Sequence, residues 1–114
     1  MVISDTLTTE DTGVWRDTTR IVRRADAVAF LADLKREGDG DILVFGSGTM
    51  WNGLLAAGMI DEIHLLVGAV VLGRGVPAFT TPPPGLRLID VRAFAGSDSV
   101  LHRYAPAEKC QSLP

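Results

Sequence analysis

The sequence predicts a mixed α/β fold, and three observations point to it. The apolar run Ile42-Leu43-Val44-Phe45 passes through Gly46-Ser47-Gly48 into a helical pattern, which is the strand, turn and helix unit of α/β proteins. Strand-like and helix-like patterns alternate from Val2 to Leu72. Near the C-terminus, Leu86 to Phe94 and Val100 to Tyr104 are β-rich runs separated by Gly96-Ser97-Asp98, as in an antiparallel hairpin. With 114 residues, 46% of them hydrophobic, the chain suits one domain with a modest core.

The elements follow in order. Val2 and Ile3 open a short β-prone run that stops at Ser4 and Asp5. The polar stretch Thr6 to Asp17, with Gly13 and Trp15 inside it, reads as an irregular loop. Thr18 to Val22 reads as a second short strand. Asp26 is placed to cap a helix whose Ala27, Phe30, Leu31 and Leu34 share one face and which Gly38 stops. Ile42 to Phe45 is predicted as a buried strand. A helix follows from about Gly48 to Ala57, carrying Met50, Trp51, Leu54 and Leu55, and Gly58 ends it. Ile63 to Leu72 is apolar at nearly every position and is predicted as a long central strand covered on both faces. Gly73-Arg74-Gly75 and Pro77 break it, the Pro82-Pro83-Pro84-Gly85 turn leads to the closing hairpin, and Ala107 to Pro114 reads as a frayed tail.

Composition narrows the function. The net charge is -3 and the charges are scattered, so the chain lacks the basic stripe that nucleic acid or an anionic membrane surface requires. The expected partner is a small-molecule substrate, with no nucleic acid and no membrane. Cys110 is the only cysteine, which forbids an intrachain disulfide and a cysteine-rich metal site. No leader-like segment follows Met1, and no apolar run reaches bilayer length. A cytoplasmic protein is expected. His64 and His102 lack the spacing of a zinc pair, so no metal is proposed. Asp61 and Glu62 read as a solvated corner before a strand. Trp51 reads as core, and Trp15 and Tyr104 are too dispersed to form a stacking platform.

The glycine turn carries the chemistry. Unpaired N–H groups at a helix N-terminus, beside glycines that admit close approach, suit a phosphate. A Walker loop is excluded, because Gly48 to Gly53 is followed by Leu54 and Leu55 rather than lysine and a hydroxyl residue. The dinucleotide fingerprint G-x-G-x-x-G fails at its third glycine, where Trp51 stands. The shorter turn Gly46-Ser47-Gly48-Thr49 can still ring a diphosphate with amides and two hydroxyls, and the helix dipole adds about 0.3 to 1 kcal/mol. The spacing is equally compatible with glycines that only let a strand turn sharply into a helix.

Several stretches in order carry a resemblance. Ile42-Leu-Val-Phe-Gly-Ser-Gly-Thr, Leu54-Leu-Ala-Ala-Gly-Met-Ile-Asp-Glu-Ile and Val70-Val-Leu-Gly-Arg-Gly-Val-Pro resemble the dihydrofolate reductase-like superfamily, and within it the bacterial riboflavin-biosynthesis reductase domain. Val2-Ile-Ser-Asp-Thr-Leu, Trp15-Arg-Asp-Thr-Thr and Leu101-His-Arg-Tyr fit as well, so the likeness spans residues 2 to 106. It implies a dihydrofolate reductase-like mixed sheet flanked by helices. It also implies an NAD(P)H-dependent reductase that transfers a hydride to a pterin-like or ribosylaminopyrimidine substrate. Carried over residue by residue, Gly46, Ser47, Gly48, Thr49 and Met50 match the turn that holds the cofactor diphosphate, and Ser4, Thr6 and Leu7 match the loop at the adenosine end. The resemblance favours NADPH, but Asp5 stands where relatives often carry a base that pairs with the 2′-phosphate, which leaves NADH open. Arg20, Arg23 or Arg24 could supply that cation, or each could be a solvated surface charge.

Against the superfamily pattern, residues 1 to 106 form a partial domain that lacks the N-terminal strand and the substrate-binding segment, and 107 to 114 form a flexible tail. A gap in the sheet would expose Val and Leu side chains at about 1.5 to 3 kcal/mol each, so either the sheet closes differently, or upstream residues fill the gap, or a second chain does, and a homodimer is the expected partner. No catalytic residue is assigned, because the cofactor performs the hydride step and the protein supplies orientation. The alternative is a truncated, non-catalytic module for dinucleotide binding or dimerisation.

Overall fold

Val2 and Ile3 (β1) pair in parallel with Ile21 and Val22 (β2), and the Ser4 N–H continues the ladder to the Val22 carbonyl at 2.9 Å. In this computed structural model residues 1–80 and 85–107 are described, and the chain divides into two compact units, Met1–Phe45 and Gly46–Pro114. Within the first unit the β1 to β2 connection is not irregular as expected. It forms 3-10 turns over Glu10–Thr18, kinked at Gly13, whose φ of 54° suits glycine. Asp11 holds the start of this segment by accepting hydrogen bonds from the Thr8 N–H and hydroxyl at 2.9 and 2.8 Å. Those bonds, the backbone one first, lower its pKa.

Helix α1 spans Ala27–Glu37 and buries Ala27 and Leu31, with Phe30 half-buried beneath the Arg20 guanidinium at 4.5 Å. Asp26 occupies the cap position but does not cap. Its backbone is already helical (φ −99°, ψ −7°), closing a 3-10 turn over Arg24–Asp26, and the Ala27 N–H reaches the Arg24 carbonyl instead. A side-chain cap requires an extended cap residue. Gly38 does end the helix, through a close approach rather than a left-handed turn: a Cβ there would lie 3.0 Å from the Leu34 carbonyl oxygen.

The predicted strand at Ile42 to Phe45 is not formed. β-propensity supplies no partner, and among the described residues no backbone pairs with this run, which leaves Leu43 72% and Phe45 83% exposed.

In the second unit, helix α2 spans Gly48–Ala56 and buries Asn52, Leu54 and Leu55. It closes with paired carbonyl caps, Met59 N–H to Leu54 and Gly58 N–H to Leu55, around Gly58 at φ 73°. Three antiparallel strands follow: β3 (Ile63–Val67), β4 (Leu86–Ala93) and β5 (Val100–Pro106), in the order β3-β5-β4. The long central strand expected over Ile63 to Leu72 is thus shorter and lies at an edge. Its partner explains the length: Val67 pairs with Val100, the first residue of β5, so the chain beyond Val67 has no ladder to join. Val70, Val71 and Leu72 are consequently exposed.

The closing hairpin forms as predicted, turning at Gly96 (φ 75°), with an irregularity between Leu88 and Asp90. The extra residue, Ile89, puts Leu88 and Val91 on one sheet face beside Tyr104 and His102. The turn at Pro82-Pro83-Pro84 and the tail with Cys110 lie outside the described residues. Among the described residues no helix is long and apolar enough to cross a membrane.

The buried apolar residues are Val22, Ala27 and Leu31 in the first unit and Leu54, Leu55 and Ile63 in the second. With so few, each matters. Leu54→Ala is expected to lower unfolding free energy by about 2 to 5 kcal/mol in urea titrations. Val14→Ala, at a side chain 90% exposed, should stay within about 0.5 kcal/mol of the parent.

Candidate functional site: the turn before helix α2

Gly46 (φ 59°) and Ser47 (φ 56°, ψ 57°) are both left-handed, and Ser47 is the one non-glycine residue with positive φ among those described. A side chain in this region carries backbone strain that glycine would not. The consequence is local. The Ser47 carbonyl turns into the helix and accepts from the Met50 and Trp51 N–H groups at 2.9 and 3.1 Å, while its hydroxyl makes no capping bond. Among the described residues, no acceptor takes the N–H groups of Gly48 and Thr49, the first two of the helix. Gly46, Ser47, Gly48 and Thr49 are exposed and Met50 is half-buried, its amide already committed to the protein.

Gly48 is informative in a different way. Its φ is not left-handed, and a Cβ would meet nothing nearer than the Trp51 indole nitrogen at 4.0 Å. The chain itself does not require glycine there.

Asn52, one turn further on, is the buried polar residue among those described, at 3% exposure. Its Nδ2 donates to the carbonyls of Gly48 and Ala78 at 2.8 and 2.9 Å, and its Oδ1 accepts from the Thr80 N–H at 3.0 Å. Trp51 is half-buried rather than fully core, and stands edge-on to Phe79 with ring centroids 5.2 Å apart. Sequence reasoning passed over Asn52. The available signal was one amide in a helix that otherwise carries Met50, Trp51, Leu54 and Leu55.

The other predicted site residues belong to the first unit. Ser4 Oγ accepts from the N–H groups of Thr6 and Leu7 at 3.3 and 3.0 Å, which folds residues 4 to 7 into a tight turn. Arg23 Nη1 donates to the Ser4 and Leu7 carbonyls at 3.0 and 3.4 Å. Asp5 Oδ1 accepts from the Arg24 N–H at 3.0 Å, and the Arg24 Nε stands 3.9 Å from Asp5 Oδ2. Two of the three arginines considered for a 2′-phosphate therefore lie at this loop, and the third, Arg20, covers Phe30.

Along the sheet, Glu62, His64, Arg103 and Asp90 are linked to one another. Glu62 Oε1 accepts from Arg103 Nε at 2.7 Å and lies 2.7 Å from His64 Nε2, and Arg103 Nη1 is 3.8 Å from Asp90. His102 Nδ1 is 3.0 Å from the Tyr104 hydroxyl. Glu62 is thus engaged in an ion-pair row across the sheet. Among the described residues no three His, Cys, Asp or Glu side chains converge to hold a metal.

Comparison with known proteins places this architecture. The fold is dihydrofolate reductase-like: it superposes, with a TM-score of 0.74 and 26% identity, on a crystal structure of a protein assigned to riboflavin biosynthesis from Shewanella sp. PV-4. The match covers 94% of this chain and 59% of that one, so this chain spans less than two thirds of its structural relative. Residues 1–101 match the family described as the RibD C-terminal domain, and the chain belongs to that family. No curated protein matches it by sequence.

The row around Glu62 sets a pH dependence. Hydrogen bonds from Arg103 first, then His64, hold the Glu62 carboxyl below its ordinary value of 4.5. A depressed carboxylate pKa stabilises the fold above the unfolded value, and that contribution is lost as pH falls through the folded one. Carbon-detected NMR titration is expected to give Glu62 a midpoint below 4.5, and Arg103→Ala should raise it.

Proposed function

We propose that this chain binds NADPH through the turn Gly46-Ser47-Gly48-Thr49 and works as a reductase of the riboflavin-biosynthesis type. Its substrate would be a ribosylaminopyrimidine or a related pterin-like heterocycle. The observation that carries the reading is the pair of N–H groups at Gly48 and Thr49 that no acceptor takes among the described residues, set behind a left-handed Gly46-Ser47 step. Such a donor set matches a diphosphate: it is exposed, dipolar, and free of any nearby carboxylate in its own turn. Gly48, which nothing in the chain requires, suits close approach by a phosphate oxygen.

The residues Ser4, Thr6 and Leu7 are assigned to the adenosine end. The Arg24 guanidinium beside Asp5 supports NADPH as the preferred nucleotide, because it offsets the carboxylate that would repel a 2′-phosphate. NADH remains the second nucleotide in this assignment. When bound, the nicotinamide supplies the hydride, and this chain's contribution is to bind and orient the dinucleotide. No side chain is assigned an acid-base step.

A second reading is favoured by one finding, the 59% coverage of the structural relative: a module that binds dinucleotide or dimerises without turnover. The two readings divide on nucleotide fluorescence and absorbance. NADPH binding with oxidation in the presence of a ribosylaminopyrimidine supports the reductase, binding without oxidation supports the module, and no binding of either nucleotide overturns both.

Gly48→Asp is expected to abolish NADPH affinity, since a carboxylate would stand where a phosphate belongs. Its melting temperature should change little, because the backbone and the space at 48 accept a side chain and an acid suits a helix N-terminus. Parent-like affinity in this variant would place the phosphate elsewhere.

A homodimer is part of the same proposal, supported by the exposed run of Val70, Val71, Leu72 and Val76. Sedimentation velocity across a dilution series is expected to show a dimer persisting into the nanomolar range. A stable monomer there would remove it.

A further inference from the structure

We infer that Asn52 is the positioning residue of the cofactor turn: by tying the Gly48 carbonyl to the backbone of Ala78 to Thr80, it holds the first turn of α2 in the geometry that receives the diphosphate. The inference rests on the reading that Gly46 to Thr49 hold a dinucleotide.

Three hydrogen bonds carry it. One Nδ2 group serves both the Gly48 carbonyl, in the candidate turn, and the Ala78 carbonyl, and Oδ1 takes the Thr80 N–H. A carbonyl and an N–H two residues apart on one segment are what a neighbouring β-strand would read, and here a side-chain amide reads them. The partners also fix the amide orientation, since a flipped group would set a donor against the Thr80 N–H and an oxygen against two carbonyls. No other side chain of this length supplies both halves. Aspartate lacks the donor, leucine lacks both, and at 3% exposure water cannot readily replace what is lost.

A second contact converges on the same point. Trp51 meets Phe79 edge-on at 5.2 Å, and its indole nitrogen is the nearest atom to the position a Gly48 Cβ would take. Gly48 is therefore gripped from the protein side at its carbonyl by Asn52 and flanked by Trp51, while among the described residues no acceptor takes its N–H. The grip reads main chain only, so the Thr80 hydroxyl is left exposed on the tethered segment. Residues 70 to 76, which precede this anchored segment, carry apolar side chains into solvent.

The test compares the full chain with Asn52→Ala, Asn52→Asp and, as a stability control, Leu54→Ala, each measured well below its own melting temperature. Titrations use NADPH, ADP-ribose, which carries the diphosphate, and adenosine 2′-monophosphate, which does not. Both Asn52 variants are expected to lose roughly tenfold in affinity for NADPH and ADP-ribose. Affinity for the monophosphate should be unchanged, and Leu54→Ala should bind all three as the parent does. Amide exchange at Thr80 should accelerate in Asn52→Ala.

Parent-like ADP-ribose affinity in the Asn52 variants, with the parent binding normally, overturns the positioning role alone. Equal losses for all three ligands, or the same loss in Leu54→Ala, overturn it too, because they would mark a purely structural residue. Failure of the parent to bind any nucleotide overturns the reductase reading, and this inference falls with it.

Discussion

A single buried amide ties helix α2 to a distant segment of the second unit. Asn52 joins the opening turn of α2 to a segment 26 and 28 residues further along the chain, and its own amide is buried, so an unmade bond would leave that amide unsatisfied. The apolar residues around it are few, so polar and aromatic contacts do a larger share of the specification than in a big domain. The Trp51 and Phe79 rings add direction to the same joint. The helix is fixed at its other end by the left-handed Gly58 cap. Both ends of α2 are thereby set, and among the described residues no acceptor takes its first two amides.

Much of this was legible in the residues. Helix α1 could be read from the spacing of Ala27, Phe30, Leu31 and Leu34, and α2 from the break at Gly58, because a 3.6-residue period is a local property. The hairpin of β4 and β5 could be read for a similar reason, since its turn and both partners are adjacent in sequence. What failed was non-local. Ile42 to Phe45 has the composition of a strand, yet a strand exists only beside another, and composition does not name the neighbour. Ile63 to Leu72 was overextended because hydrophobicity continues after the ladder has ended at Val67. Asp26 misled as a cap because a 3-10 turn had already supplied the carbonyl.

The candidate site divides in the same way. The sharp turn into α2 at Gly46 could be read from glycine spacing, which reports backbone freedom directly. That Ser47 would itself be left-handed, and that the Met50 amide would turn inward while its two predecessors do not, depends on φ and ψ values that composition leaves open. Asn52 was missed because a lone amide on a helix usually faces water, and its partners at 78 and 80 give no pattern in sequence. In the first unit, the carboxylate of Asp5 looked like an isolated repulsive charge, whereas folding brings Arg24 to it from the far end of the β1 to β2 connection.

The extra residue in β4 has a consequence for the register of the sheet. Leu88 faces Tyr104 and Asp90 faces Arg103, with Ile89 interposed and unmatched. In most strands a one-residue deletion turns every following side chain over. Here, excising Ile89 would leave each existing partner opposite the same neighbour and would chiefly relax the local coiling of the strand. Loss of Ile89 alone would therefore be nearly silent for the pairing of β4 with β5.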